Sequence, residues 1–295
     1  MTSVTALQSG AGRAVLMACL AAFGFAGMFA CLKALGPGFS PVQTVFFRSA
    51  FAFIPLMPLM WHTGWDVVRT NRPWSHAKRV GAGLLSMGCF FYAVGYLPLA
   101  ALTAVTFTMP LFLTLLSVPL LGERVGWRRA AATIVGFAGV LLIIRPGVGG
   151  VDWIYGIALV GAALYALAVV FVRQLGQTEP AIRTFFYYSF CSAVASGLVL
   201  PFVWVEPTLR EWLLLITLGI VGGLAQYAMV EAYRHAAATI VAPFEYTQIV
   251  WATGLGILLF AEWPDWAVLA GATMVAGSGL YIWHRETRLA RIARS

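Results

Sequence analysis

From Ala14 to Leu32 the chain runs 19 residues without a charged side chain. A helix of about 20 apolar residues crosses the ~30 Å hydrocarbon core of a bilayer. Lipid offers no hydrogen bonds, so such a segment must pair its own backbone groups, and the helix does so within one segment. This chain repeats the pattern ten times. The apolar runs cover approximately 13–33, 41–61, 79–98, 101–121, 127–145, 153–173, 182–204, 211–232, 237–260 and 266–284. The breaks carry turn chemistry or charge: "LGPGFSP" (35–41), "LGERVGWRR" (121–129), "RPGVGGVD" (145–152) and "EWPDW" (262–266). The tightest break is at 98–101, where Pro98 and a combined length of 43 residues argue for two helices. Only 10% of residues are charged, against roughly 25% in soluble domains, which excludes a soluble enzyme or binding module. The expectation is an all-α membrane protein of ten transmembrane helices.

The basic residues set an orientation. Of 19 Lys and Arg, 15 fall at the N-terminus, at the C-terminus or in the loops near 69–79, 124–129, 173–183 and 234. Lys33, Arg145 and Arg210 fall on the other side, and Arg48 lies inside a span. The positive-inside rule then makes both termini cytoplasmic, which an even number of spans requires. The formal net charge of +8 is thereby a matter of topology, and no nucleic-acid partner is expected. Cys19, Cys31, Cys89 and Cys191 sit in apolar runs without metal spacing and read as small core residues.

The two halves align at an offset of about 140 residues. "TVFFRS" (44–49) falls over "TFFYYS" (184–189), Lys33 over Arg173, and Glu123 near Glu262. Gly136 and Gly139 fall close to Gly277 and Gly279. The repeat divides the chain into 1–150 and 151–295. Five helices are an odd number, so a tandem repeat of them must enter the membrane in opposite senses. Secondary transporters use such inverted repeats, with the solute site near the midplane between them.

The stretches "AVTFTMPLFLTLLSVPLLGERVGWRRAAATIVGFAGVLLIIRPG" (104–147) and "ATIVAPFEYTQIVWATGLGILLFAEWPDW" (238–266) resemble the EamA repeat of the drug/metabolite transporter superfamily. "VFFRSAFAFIPLMPL" (45–59) resembles the branch that includes S-adenosylmethionine and riboflavin uptake carriers. The resemblance implies that helices 1–4 and 6–9 surround a central cavity. It also implies that helices 5 and 10 lie outside, bracing the repeats or forming a homodimer contact. It implies a bacterial inner-membrane carrier for a small-molecule solute, with uptake of a ring-bearing metabolite the leading activity and export of amino acids or drugs the alternative.

Arg48 and Glu245 are the full charges clearly inside spans. A charge at the bilayer centre costs about 2.5 kcal/mol or more, so it faces the protein interior or a wet cavity. Three readings stand side by side: a structural ion pair, a solute or proton site, and an arginine held by backbone carbonyls. Pro243 and Pro110 suit helices bent around a cavity. Among aromatics deep in the spans, Tyr92, Tyr165, Tyr188, Tyr246 and Trp251 can stack on a ring or hold a cation. Gln226 and Gln248 can hydrogen-bond a polar solute. Glu123, Glu231 and Glu262 read as interfacial charges or loop anchors. No phosphate-binding loop, metal cluster or nucleophile with its base is present in the sequence, so neither an enzyme nor a cofactor is expected.

Overall fold

The computed structural model describes residues 2–292 apart from 37, 59–60, 62–63, 65–67, 110, 114, 117–126, 146–151, 176–177 and 236–243. Among the described residues there are ten α-helices and no strand. They are α1 (Thr2–Leu35), α2 (Pro41–Phe51), α3 (Pro73–Ala93), α4 (Leu99–Thr106) and α5 (Trp127–Ile144) in the first half. The second half holds α6 (Asp152–Leu175), α7 (Ala181–Val199), α8 (Leu209–His235), α9 (Thr247–Phe260) and α10 (Trp266–Ile292). Each expected span holds one helix. Gly12–Leu35, Trp153–Val172, Ile182–Phe202 and Leu209–Met229 are long and apolar enough to cross a bilayer unaided. The surface agrees: Ile134, Leu198 and Leu258 are 70–81% exposed, apolar side chains that face lipid rather than water. The protein is a multi-pass membrane protein.

Local chemistry explains the helix ends. Pro41 occupies the first turn of α2, and the Ser40 hydroxyl accepts from the Val42 N–H at 3.2 Å. The helix ends at Phe51, short of the expected 41–61. Pro55 has no N–H to give the Phe51 carbonyl and its ring crowds that group. A 3-10 turn at Ile54–Leu56 follows. The break at Pro98 is real: α3 ends at Ala93 and α4 begins at Leu99. Pro110, Glu123 and Pro243 lie outside the described residues.

The helices pack in pairs across the two halves: α1 on α8, α3 on α6, α5 on α10, and α2 on both α7 and α8. α1 turns a fully buried alanine stripe inward, Ala14, Ala18, Ala21 and Ala26. Apolar burial drives little association inside lipid, so close backbone approach carries much of the helix packing. Gly139 of α5 and Gly271 of α10 show it best. A Cβ on Gly139 would stand 2.7 Å from Met274 Cβ and 2.8 Å from the Gly271 carbonyl oxygen. Gly139→Val is therefore expected to destabilise the fold by about 1–3 kcal/mol, because backbone must move. Thermal unfolding in detergent measures this; an unchanged midpoint would contradict the tight α5–α10 contact.

Candidate functional site

α2 brings Arg48 against α7 and α8, where it is 4% exposed. Its Nε and Nη1 are buried and have no hydrogen-bond partner. Its guanidinium carbon lies 5.9 Å from the ring centre of Tyr188 on α7. From α3, the Arg79 guanidinium lies over the same ring at 4.3 Å, and its Nε and Nη1 are likewise buried without partners. Gly83 makes room for both. A Cβ there would stand 2.8 Å from Tyr188 Cε2 and closer still to Arg79 Nη1. The Tyr188 hydroxyl donates to the Gly83 carbonyl at 3.3 Å.

Tyr165 on α6 lies within electrostatic reach of Glu245, Arg79, Tyr188 and Arg48. It is also 43% exposed. Glu245 itself is half-buried in the helical residues just before α9. Arg48 and Tyr188, expected from two different spans, thus meet, and Arg79 joins them. An unpartnered buried N–H costs about 1–3 kcal/mol, and two nearby guanidinium ions also repel. An anion set among them would relieve both costs.

The other expected residues sit elsewhere. Tyr246 stacks on Phe107 at 4.7 Å and packs on α10 at Gly279. Tyr92 joins Tyr96 and Trp153 at 5.2 and 5.9 Å, near the opposite end of α3. Trp251 meets Phe23 edge-on at 5.3 Å and is 41% exposed. Gln226 and Gln248 are half-buried on α8 and α9. Glu231, expected at the water interface, is buried in α8, whose neighbour Ala232 packs against Ala14 and Ala18 of α1.

Both ends of the helix set are tied by side chains. At the end where α1, α3 and α9 finish, Lys33 pairs with Glu262 and donates to the Leu97 carbonyl at 2.6 Å. Glu262 Oε2 accepts from the Leu99 N–H at 3.0 Å, capping the first turn of α4. Glu262 is therefore no local loop anchor: it binds three helices from both halves. The local helix start belongs to Asp265, whose Oδ1 accepts from the Val268 N–H at 2.9 Å. At the opposite, basic end, Glu179 pairs with Arg183 and accepts from the Thr70 hydroxyl at 2.7 Å. His76 is 3% exposed there and lies against the Tyr187 ring at 4.4 Å. The Tyr187 hydroxyl donates to the Val68 carbonyl at 2.5 Å.

Two groups on this basic rim titrate unusually. Burial depresses the His76 imidazole, and although Glu179 opposes it, Arg183 and Arg79 add to the depression. Burial raises the Glu179 carboxyl, but hydrogen bonds from Arg183 and Thr70 outweigh it and hold the group below its usual range. Both folded values lie below the unfolded ones, so the unfolded chain binds more protons and stability rises with pH. The His76 contribution is complete above about pH 6.5 and is lost as pH falls below that; the Glu179 contribution is lost only below about pH 4.3. The unfolding midpoint is expected to drop by a few degrees from pH 7.5 to 5.5, and His76→Gln to flatten most of that slope. An equal slope in the variant would place the titration elsewhere.

By sequence Arg79 and Lys33 are loop or span-end charges, and Glu179 does not stand out at all. For Arg79 a signal existed: Gly83 stands one turn on, leaving a gap on the same helix face. For Lys33 and Glu262, 229 positions apart, no local signal exists.

The profile of the EamA-like transporter family matches residues 12–145 and again 152–283. The chain is 34% identical over 266 residues to the pseudopaline exporter CntI of Pseudomonas aeruginosa, covering 88% of this chain and 92% of that one. It is 29% identical over 256 residues to the S-adenosylmethionine uptake transporter of Rickettsia bellii, covering 87% and 88%. It is 28% identical over 254 residues to a riboflavin transporter of Rhizobium johnstonii, covering 86% and 84%.

Proposed function

The chain belongs to the EamA-like transporter family, and from that premise we propose that it carries a small organic metabolite across the bacterial inner membrane by alternating access. The observation that carries this reading is the meeting of Arg48, Arg79 and Tyr188 between the two halves, with side-chain ties toward both ends of the helices. A solute held there reaches one side when the Lys33–Glu262 end opens and the other when the Glu179–Thr70 end opens. Glu245 takes up either a cationic group of the solute or a coupling proton. The tyrosine faces suit a ring-bearing solute.

The two halves are inverted five-helix repeats with both termini cytoplasmic, which makes the basic end the cytoplasmic one. The packing supports this: exchanging the halves turns the α1–α8 contact into α6–α3 and leaves α2–α7 and α5–α10 unchanged. Arg48 and Tyr188, which share one position at an offset of 140 residues, face each other. Residues that meet their own repeat equivalents lie on the pseudo-two-fold axis.

Uptake of S-adenosylmethionine or riboflavin is the leading activity, from the relatives so named. Export is the second reading, favoured by the relative at 34% identity that is named an exporter. Labelled S-adenosylmethionine and riboflavin are offered to cells expressing the chain, with Glu245→Gln as control, and to everted vesicles for the opposite direction. Accumulation of one, lost in the variant, supports the reading. Movement of neither in either preparation overturns the solute assignment. Tags at both termini are expected to be reachable only from the cytoplasm; a C-terminal tag reached from outside would break the ten-span topology.

A further inference from the structure

We propose that Arg48 and Arg79 together form a binding site for a carboxylate on the transported solute, and that the Tyr188 ring orients them. The inference rests on the carrier reading and deepens it by naming the solute's chemical class and a specificity residue, Arg79.

The geometry carries it. Arg48 is more than nine-tenths buried, and its Nε and Nη1, whose N–H groups leave different sides of the guanidinium plane's edge, have no acceptor. Arg79 repeats the same pair of unpartnered donors over the same ring. Arginine has five donors and no acceptor, and each unpartnered N–H can donate one charge-assisted hydrogen bond to a carboxylate oxygen. A purely structural guanidinium ends on carboxylates or carbonyls; these two end on the face of a tyrosine with donors to spare. The ring holds each cation through its π-face and leaves the N–H edges unused. The two arginines arrive from helices that start at opposite ends, α2 and α3, so their meeting lies deep in the protein rather than at a rim.

Riboflavin has no carboxylate and leaves the arginines unpartnered, so the site favours the S-adenosylmethionine-like end of the leading solute set.

The test uses the full chain in lipid nanodiscs and two pairs of probes that differ only in the carboxylate: S-adenosylmethionine with decarboxylated S-adenosylmethionine, and L-tryptophan with tryptamine. Riboflavin is the uncharged control. Binding is read as thermal stabilisation, which follows ligand occupancy. At least one carboxylate-bearing probe is expected to bind at least about tenfold more tightly than its decarboxylated partner. Arg79→Gln and Arg48→Gln are expected to erase that ratio by weakening the carboxylate-bearing probe while binding of the cationic decarboxylated probe holds or rises as a repelling guanidinium is lost, a change that loss of fold alone would not produce. Equal binding of both members of each pair, no binding of any carboxylate-bearing probe, or a ratio unaltered in Arg79→Gln overturns the proposal. Should the variants fail to fold, the paired probes on the unaltered chain still decide it. Flux in proteoliposomes separates the two readings. Carboxylate-selective binding without flux sinks the carrier reading and leaves the site standing. Riboflavin flux without carboxylate binding does the reverse.

Discussion

Arg48→Ala is expected to lower transport by about 100-fold while the protein still inserts and folds. The size follows from two charge-assisted hydrogen bonds to the solute at roughly 1.5 kcal/mol each. Survival of the fold follows from what the residue does not do. Its Nε and Nη1 bond to no protein group, so truncation breaks no protein hydrogen bond at either. The main structural loss is packing against Tyr188 and the α8 backbone at Gly222. Arg48→Lys is expected to recover only part of the activity, because a compact ammonium keeps the charge but not the fork. Glu245→Gln keeps the shape and removes both charge and proton uptake, and is expected to be similarly impaired. Initial-rate uptake, normalised to protein in the membrane, measures all three. Normal rates in both Arg48→Ala and Glu245→Gln would remove these residues from the transport site.

Glu262→Ala carries the largest expected loss of stability, about 2–3 kcal/mol. The substitution unpairs Lys33, which is 13% exposed, and leaves the Leu99 N–H without its cap. Breaking a fully buried pair costs roughly 3–5 kcal/mol, and the 20% exposure of Glu262 justifies the lower figure. Lys33→Ala is expected to cost less, because Glu262 keeps the Leu99 N–H. The double variant should cost clearly less than the sum of the two, the mark of a direct coupling. Additive losses would mean that the pair contributes nothing as a pair. Because the tie joins α1 and the α3–α4 turn to α9, its loss should also favour the state open at that end. Transport need not fall in step with stability, and the ratio of the two distinguishes a gate from a simple brace.

Much of the architecture was legible in the order of residues, for a reason particular to membranes. A bilayer imposes a length of about 20 apolar residues and forbids unpaired backbone, so each run announces its own helix. The break at Pro98, the hardest to read, came out as expected because proline acts on its own neighbours. Proline also explains the miss in α2. Pro55 ends that helix nearly three turns before the apolar run does, since hydropathy measures burial in lipid and not hydrogen bonding. The site was half legible. Arg48 and Glu245 stood out because a charge inside an apolar run is costly wherever it points.

Arg79 and Glu262 did not stand out, because a charge near a membrane edge has two cheap destinations. It can reach water, or it can turn inward along the helix, and hydropathy is the same for both. The contact that decides is with residues far away in the chain: the Tyr188 ring and the gap at Gly83 for Arg79, Lys33 and the Leu99 N–H for Glu262. The same holds for Tyr246 and Tyr188, two tyrosines alike in their surroundings by sequence, of which packing sends one against α10 and the other against Arg48 and Arg79. The sequence by itself determined the helices, the family repeat and the presence of charge inside the membrane, all properties of residues next to one another. The tertiary structure alone decided which charges meet, because pairing between helices depends on rotation and close approach that no single helix encodes.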